Sequence, residues 1–519
     1  MREEKNLSIG RFYGIDRSLD DTELPVEFAS DACNFDTREG NLKVCKGFEK
    51  AYYNGIAEMR IQRIMPFFRR EGQSFLLAYA KNQEGTQSKL YYAGMQRGGS
   101  WQELGLPSVG IGERIFSFVN YQREQDDIIL LADGSWLKLW NGEAASPLEY
   151  VPVPQAPLGL RYIALGNERL WGAGVANEPD RVYYSKPFQP TDWQQDESEP
   201  DRNGGYIDLP TWESGGRIVG ICEAFGDILV FKENDIFRIY GDTPSDFKTL
   251  RVFGAPGPMN HNCIVKHGGL VYYMSRQGLC VYDGNRAYLL DINEKAGTLW
   301  SMTQYDTQDR AFLWAWEDKL FISVPGEVLT GGGGSFFWEI MDNGMNVEYD
   351  PKRGTLMRRD GFYPLAMGSF SFAGVGNVRD ILLFVTGDSY VYGFFDGALD
   401  YDGVPVKAYW ETPWMDFKRK DITKTVTASY IFGGGDDGAS IIVEAMSEKK
   451  KKRRVVATRV REGTVRCRIR VRGRRVKFRF ANYLDPLELE YLGEQGEEIC
   501  AAPIELKSGV QFLLDMEED

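Results

Sequence analysis

Arg217-Ile218-Val219-Gly220-Ile221, Ile228-Leu229-Val230-Phe231, Ile236-Phe237-Arg238-Ile239-Tyr240 and Thr249-Leu250-Arg251-Val252-Phe253 place four strand-length apolar runs in fewer than 40 residues. The connections are too short to hold helices, so the segment reads as an antiparallel meander opened by Gly215-Gly216. Its third strand closes on an aromatic residue and a turn-former, Ile239-Tyr240-Gly241-Asp242, and that ending returns along the chain. Leu90-Tyr91-Tyr92-Ala93-Gly94, Leu139-Trp140-Asn141-Gly142, Val182-Tyr183-Tyr184-Ser185, Val281-Tyr282-Asp283-Gly284 and Val391-Tyr392-Gly393 repeat it at intervals near 45 residues, with a weaker copy expected around Tyr349. A four-stranded unit of that period is a propeller blade. The predicted fold is all-β, a propeller of six or seven blades with seven favoured, followed by an appended antiparallel β domain.

Outward from the repeat, residues 1–50 read as an arm and a first hairpin, in which Ala32-Cys33-Asn34-Phe35-Asp36 and Leu42-Lys43-Val44-Cys45-Lys46 flank the turn Arg38-Glu39-Gly40-Asn41. The propeller spans 51–402. Beyond Asp402-Gly403 the register changes, and 403–519 read as the antiparallel β domain, with strands over Val426 to Phe432, Ile441 to Ala445, Val465 to Val471, Val476 to Phe480 and Leu487 to Leu492. Gly331-Gly332-Gly333-Gly334-Ser335 interrupts one blade and should project from a face, because a packed blade would not tolerate that chain entropy.

Composition narrows the function. Hydrophobic residues make up 43 % of the 519, enough for a large packed interior. The charged start Met1-Arg2-Glu3-Glu4-Lys5-Asn6 lacks an apolar run behind it, and no stretch is long and apolar enough to span a bilayer. Seven scattered cysteines with no Cys-x-x-Cys pair read as buried thiols. His261 and His267 stand without a third ligand nearby and read as loop histidines. Asp133-Gly134, Asp283-Gly284, Gly387-Asp388 and Asp396-Gly397 read as hairpin turns rather than calcium loops, since no Asp-x-Asp-x-Asp series accompanies them. No phosphate-loop, dinucleotide, zinc-protease or nucleophile-elbow motif occurs, so the reading has no cofactor, no catalytic residue and no enzymatic activity.

Charge supplies the sharpest local signal. Between Lys449 and Arg479 sixteen Lys or Arg face the single acid Glu462, in a chain of net charge −14. In Val465-Arg466-Cys467-Arg468-Ile469-Arg470-Val471-Arg472 the period is two, so Val465, Cys467, Ile469 and Val471 share one face and four arginines the other. Gly473 permits a turn, after which Arg475, Lys477 and Arg479 alternate with Val476, Phe478 and Phe480. The pattern predicts a half-buried hairpin whose outer surface carries Arg466, Arg468, Arg470, Arg472, Arg474, Arg475, Lys477 and Arg479. Like charges opposed on a sheet need an offset. Acidic partners within the chain, the acidic surface of a neighbouring copy, and DNA phosphates all remain open as that offset.

These segments also carry a resemblance. Ala32-Cys33-Asn34-Phe35 through Gly40-Asn41-Leu42 to Lys46-Gly47-Phe48, Arg181-Val182-Tyr183-Tyr184-Ser185 with Pro190-Thr191-Asp192-Trp193, and Val230-Phe231-Lys232 through Tyr240-Gly241 to Gly257, Tyr272-Tyr273-Met274-Ser275, Gly278 and Tyr282-Asp283-Gly284 are similar to bacteriophage tail-hub, tail-nozzle and phage-stabilisation propellers. The resemblance covers roughly residues 10 to 400, and Lys46 departs from the commoner arginine of the basic step. It implies a virion protein below the portal, assembled in the bacterial cytoplasm. It further implies a homo-oligomeric ring, with a hexamer favoured, that contacts other tail and head–tail connector proteins, seals the packaged genome, and lets double-stranded DNA pass without sequence recognition. The alternative expectation is a carbohydrate-binding or receptor-binding propeller, or a glycan-processing enzyme, in which Trp193, Trp212 and Trp300 stack on sugars.

Overall fold

Among the described residues seven four-stranded antiparallel units, each a blade, follow one another over 59–104, 117–150, 162–208, 218–252, 264–289, 312–359 and 366–393; six are separate sheets and the unit over 312–359 is part of a nine-stranded one. The computed structural model describes residues 3–195, 198–210, 216–297, 310–332, 335–371, 380–418, 420–435, 439–448, 452–458, 463–483, 503–506 and 510–517. The seventh blade borrows its outermost strand: Glu49–Lys50 pairs with Tyr392–Gly393, and the inner strand Ala366–Ser371 lies against Met59–Phe67 of the first blade. The ring is thereby closed by packing the last blade against the first, and each blade keeps only short inner and outer edges. Tyr349 falls in Ser335–Asp350, the third strand of blade 6, where the weaker repeat was expected.

The middle strands show why the repeat is so apolar. In blade 4, Ile228 and Val230 pack against Trp171 and Val182 of blade 3, while Leu229 and Phe231 pack against Val271, Tyr273 and Cys280 of blade 5. A strand with a blade on each side has no polar face, so strict alternation gives way to a continuous apolar run. Each such side chain contributes about 1.5–3 kcal/mol by leaving water. At the blade tips the Asp-Gly pairs make side-chain-capped turns: Asp133 accepts from the Ser135 amide at 3.0 Å and Asp283 from the amides of Asn285 and Arg286, both at 2.9 Å.

The remaining strands form a sandwich woven from both ends of the chain. Glu3–Ile9 pairs with Val510–Glu517 over seven residues, and Leu42–Val44 pairs with both Phe35–Asp36 and Ile504–Leu506. The hairpin expected within 1–50 is present, but the arm before it is a sheet strand of the C-terminal module rather than a separate element. The second sheet of the sandwich continues blade 6: Thr355–Arg359 adjoins Asp31–Cys33, then Tyr409–Glu411, Val476–Ala481, Ser440–Ser447 and Lys452–Thr458. Propeller and sandwich thus share one sheet and one buried core.

Asn34 fastens that junction. Its φ of 57° lies in the left-handed region, where Asn is among the few residues tolerated. Its amide donates to the carbonyls of Asp360 at 3.0 Å and Lys407 at 2.8 Å and accepts from the Asp360 N–H at 3.0 Å. Beside it Glu348 is buried against Lys319 and Arg359, and Lys319 also reaches Asp36 at 3.3 Å. Burial alone would raise the Glu348 carboxyl, but the two cations outweigh it and hold it below the usual range. Strands Lys319–Gly332 and Ser335–Asp350 run well beyond their five-residue neighbours in blade 6, their ladder reaching Gly332 and Ser335, while Gly333 and Gly334 lie outside the described residues.

Candidate functional site

The basic segment keeps its alternation but not its predicted pairing. Cys467, Ile469 and Val471 are buried and Arg468, Arg470 and Arg472 exposed, as the period-two pattern requires. The two strands, however, do not form a hairpin. Gly463–Cys467 and Val471–Gly473 pair with Thr423–Gly435 in one sheet, while Val476–Ala481 lies in the other between Tyr409–Glu411 and Ser440–Ser447. Gly473 to Arg475 crosses the sandwich, and the Glu448 carboxylate holds the crossing by accepting from the amides of Arg474 at 2.9 Å and Arg475 at 3.1 Å. Apolar faces meeting across a sandwich satisfy the alternation as well as apolar faces within a hairpin do, because alternation fixes which side of a strand is buried and not which strand lies beside it.

That crossing sorts the eight basic residues. Lys477 is tied to Glu411 at 3.2 Å and Asp21 at 3.5 Å. Arg479 lies 3.6 Å from Glu444, stacks 4.4 Å over Tyr409 and donates to the Tyr483 hydroxyl at 2.8 Å. These two cations are offset within the chain. Arg468, Arg470, Arg474 and Arg475 are exposed and make no ion pair with a described residue, Arg472 is exposed beside them, and the Arg466 side chain lies outside the described residues. Arg468 and Arg470 lie in the link between Gly463–Cys467 and Val471–Gly473 and Arg472 in the second of these strands, and the alternation of burial puts all three on the solvent side as a cationic row.

A second site lies on the propeller axis. A cavity of about 1150 Å³ opens where the inner strands of blades 1, 2, 5, 6 and 7 begin. Its wall carries Arg60, Arg63, Lys81, Arg114 and Arg310 against two carboxylates, Glu113 and Asp402, with Phe118, Trp314, Tyr363 and Tyr392 presenting rings. A β-bulge between Ile61 and Arg63 interrupts the ladder, and Arg63 donates to the carbonyls of Ile115 at 2.7 Å and Phe116 at 2.9 Å in the neighbouring blade. His261 stacks on Tyr162 at 5.3 Å, and burial, with Arg63 nearby, pushes its imidazole down to about 3. The neutral ring leaves the cavity's charge to the arginines, Lys81 and the two carboxylates. Among the described residues no three His, Cys, Asp or Glu side chains group as metal ligands, and no helix is long and apolar enough to cross a membrane.

Sequence reasoning did not single out this cavity, although a signal was present: an arginine at or just before an inner strand recurs as Arg60, Arg114, Arg161, Arg217 and Arg310. Of the three tryptophans offered as sugar platforms, Trp193 is corrected. It is buried, and its indole donates to the Pro190 carbonyl at 2.9 Å, so it packs the blade 2–blade 3 interface. Trp212 and Trp300 lie outside the described residues.

No protein-family model matches the chain, and no curated protein matches it. Among solved structures, an exo-β-1,3-galactanase from Phanerochaete chrysosporium with β-1,3-galactotriose is similar over 91 % of this chain and 99 % of that one, at 9 % identity and a TM-score of 0.26. A glycoside hydrolase family 43 arabinoxylan arabinofuranohydrolase from Bacillus subtilis in complex with cellotetraose is similar over 89 % of this chain and 96 % of that one, at 9 % identity and a TM-score of 0.27. Both neighbours are hydrolases, which overturns the expectation that this chain has no enzymatic activity, and that exclusion is withdrawn. At such low TM-scores the likeness identifies no substrate or catalytic residue for this chain.

Proposed function

We propose that this protein is a ring-forming subunit of a bacteriophage tail, at the hub or nozzle below the portal, where copies seal the packaged genome and form its exit channel. The observation that carries the reading is the exposed row Arg468, Arg470 and Arg472, continued by Arg474 and Arg475, on a sandwich that is continuous with blade 6. In a chain of net charge −14 such a row is complementary to the acidic surface of the next copy. A contact between unlike patches propagates head to tail and closes into a ring where the rotation permits. The resemblance of residues 10 to 400 to tail-hub propellers supports the same placement, with a hexamer favoured, tail and connector proteins as partners, DNA as cargo, and the virion as its location. The test is the mass of the assembled particle by light scattering, for the native chain and for Arg468→Glu/Arg470→Glu. The native chain should give a ring and the variant smaller species. A native chain that is only ever a monomer contradicts the reading, and intact rings that no longer retain DNA assign the row to phosphates.

The axial cavity favours a second reading, a carbohydrate-binding or carbohydrate-processing propeller that meets a receptor. Its size, rings and polar groups suit a sugar chain. Within the described wall a hydrolase would have to use Glu113 and Asp402 as its acid and base. Release of reducing sugar from a glycan panel, abolished by Glu113→Gln or Asp402→Asn, supports processing. A glycan array without binding removes this reading.

A further inference from the structure

Phe188 and Phe225 combine two features that a stable fold avoids. Both side chains are exposed, at 60 % and 49 %, and both residues hold a left-handed backbone, with φ of 61° and 56°. A bulky residue is an outlier in that region, where Gly or Asn would make the turn with less strain and without an exposed ring. The two turns lie at the same end of neighbouring blades. Phe225 directly follows the inner strand Ile218–Ala224 of blade 4. The Phe188 amide donates at 2.7 Å to the carbonyl of Glu168, in the turn that follows the inner strand Tyr162–Gly166 of blade 3. Strain kept together with an exposed aromatic ring points to a task at the surface.

The two rings belong to one patch. The Asn167 amide, next to Glu168, donates to the Gly241 carbonyl at 3.0 Å across the boundary between blades 3 and 4, and Tyr240 beside it is 37 % exposed. Arg238 lies 5.7 Å from the Tyr240 ring centre and pairs with Asp227, which stands beside the Phe225 turn, and Phe225 meets Tyr282 of blade 5 edge-on at 5.6 Å. Around the rings Glu168, Glu199, Asp201, Asp242 and Asp246 are exposed, against the exposed cations Arg202 and Lys248. The Ser245 hydroxyl donates to Asp201 at 3.0 Å, and Asp246 accepts from the amides of Asp242 and Thr243 at 3.0 and 2.7 Å, so these acids share one rim. Exposed rings with a polar border are the anatomy of a protein interface.

We infer that this patch receives a second copy of the chain, whose Arg468, Arg470, Arg474 and Arg475 stack on the rings of Phe188, Phe225 and Tyr240 and pair with the carboxylates around them. The inference rests on the ring reading; the surface that accepts the row is new. Guanidinium planes match both aromatic faces and carboxylates, so one kind of side chain satisfies the whole patch. The acidic rim repels a polyanion and selects a cationic occupant. The row stands on the sandwich continuous with blade 6, while the patch spans blades 3 and 4, with blade 5 between them. A row seated on a neighbour's patch therefore leaves that neighbour's own row open to a third copy, as a head-to-tail ring requires.

The test is light-scattering mass of the full chain and its variants at one protein concentration. Phe188→Asn/Phe225→Asn should fold, since both rings are exposed and Asn suits a left-handed turn, and its mass should fall from that of the ring to that of one chain. Mixed with Arg468→Glu/Arg470→Glu it should give a one-to-one dimer and nothing larger, because the first variant keeps the row and the second keeps the patch. Should the aromatic variant fail to fold, Glu168→Arg/Asp242→Arg takes its place: alone it should be a single chain, and combined in one chain with Arg468→Glu/Arg470→Glu it should regain the ring through the exchanged charges. A native ring that survives either patch variant overturns the inference and spares the ring reading, whereas a native chain that is only ever a monomer overturns both. Absence of the mixed dimer, or of the regained ring, overturns the pairing of row with patch.

Discussion

Blade 4 and blade 7 have the same four-stranded plan and opposite origins. Blade 4 takes all its strands from one continuous segment, Ile218 to Val252, and every hydrogen-bonded neighbour is the next strand in sequence. Blade 7 is completed by Glu49–Lys50, drawn from more than 300 residues upstream, and blade 6 gains Asp31–Cys33 from the same region. Local blades can form as each meander collapses. The ring and its junction with the sandwich must wait for the chain ends, because distant pairing costs loop-closure entropy before any contact repays it.

The largest effect should come from breaking the clasp. Phe48 leads directly into the closing strand and lies within 6.0 Å, centroid to centroid, of Phe362, Phe384, Tyr392, Phe394 and Tyr401. Phe48→Ala should cost about 3–5 kcal/mol. In hydrogen exchange it should deprotect Asp380–Val385 and Tyr392–Gly393 of blade 7 and leave Asp227–Lys232 of blade 4 protected. Equal loss in both blades would show that the ring unfolds as one unit and that the contrast between them is only one of sequence distance.

Next comes the junction. Asn34→Ala removes both amide donors and the acceptor that tie Asn34 to Asp360 and Lys407 and places alanine at a left-handed φ, which should cost about 1–3 kcal/mol by urea denaturation. Acid should loosen the same place by a smaller margin. Glu348 and Asp36 are both held below their ordinary values, each against the raising effect of burial: Glu348 by Arg359 and Lys319, Asp36 by Lys319 and Arg38. For a lowered carboxyl the stabilisation is complete above the unfolded-state value, about 4, and is lost as pH falls through the folded-state value. Stability measured between pH 5 and pH 2 should therefore decline, and Glu348→Gln should flatten part of that decline. Smallest of all, Arg468→Ala should change stability by less than about 0.5 kcal/mol, since the exposed side chain touches no described acidic partner.

The same contrast decides what was legible in the sequence. The blades were, because their period and their aromatic strand ends, Tyr240, Tyr282 and Tyr392 among them, are written in contiguous residues. The pairing of Glu3 with Met516 was not, since nothing in a seven-residue strand names a partner at the other end of the chain. The basic strands fall between these cases. Cys467, Ile469 and Val471 point inward as their alternation requires, but the neighbour of each strand is set by the sandwich. The cationic wall of the cavity escaped notice because a reading built on apolar runs passes over the polar residues beside them, and only the closed ring brings Arg60, Arg114 and Arg310 to one cavity.

Closure of the ring by the N-terminal region is the claim on which the axial cavity and the junction both depend. Lys50 and Tyr392 are directly opposed in the closing ladder, so Lys50→Cys/Tyr392→Cys should form a disulfide on mild oxidation, readable by peptide mass mapping. The described native cysteines are buried or half-buried free thiols and should not compete. Quantitative formation of that bond with retained fold is the expected result, and two persistently free thiols at these positions in a folded protein would contradict the account.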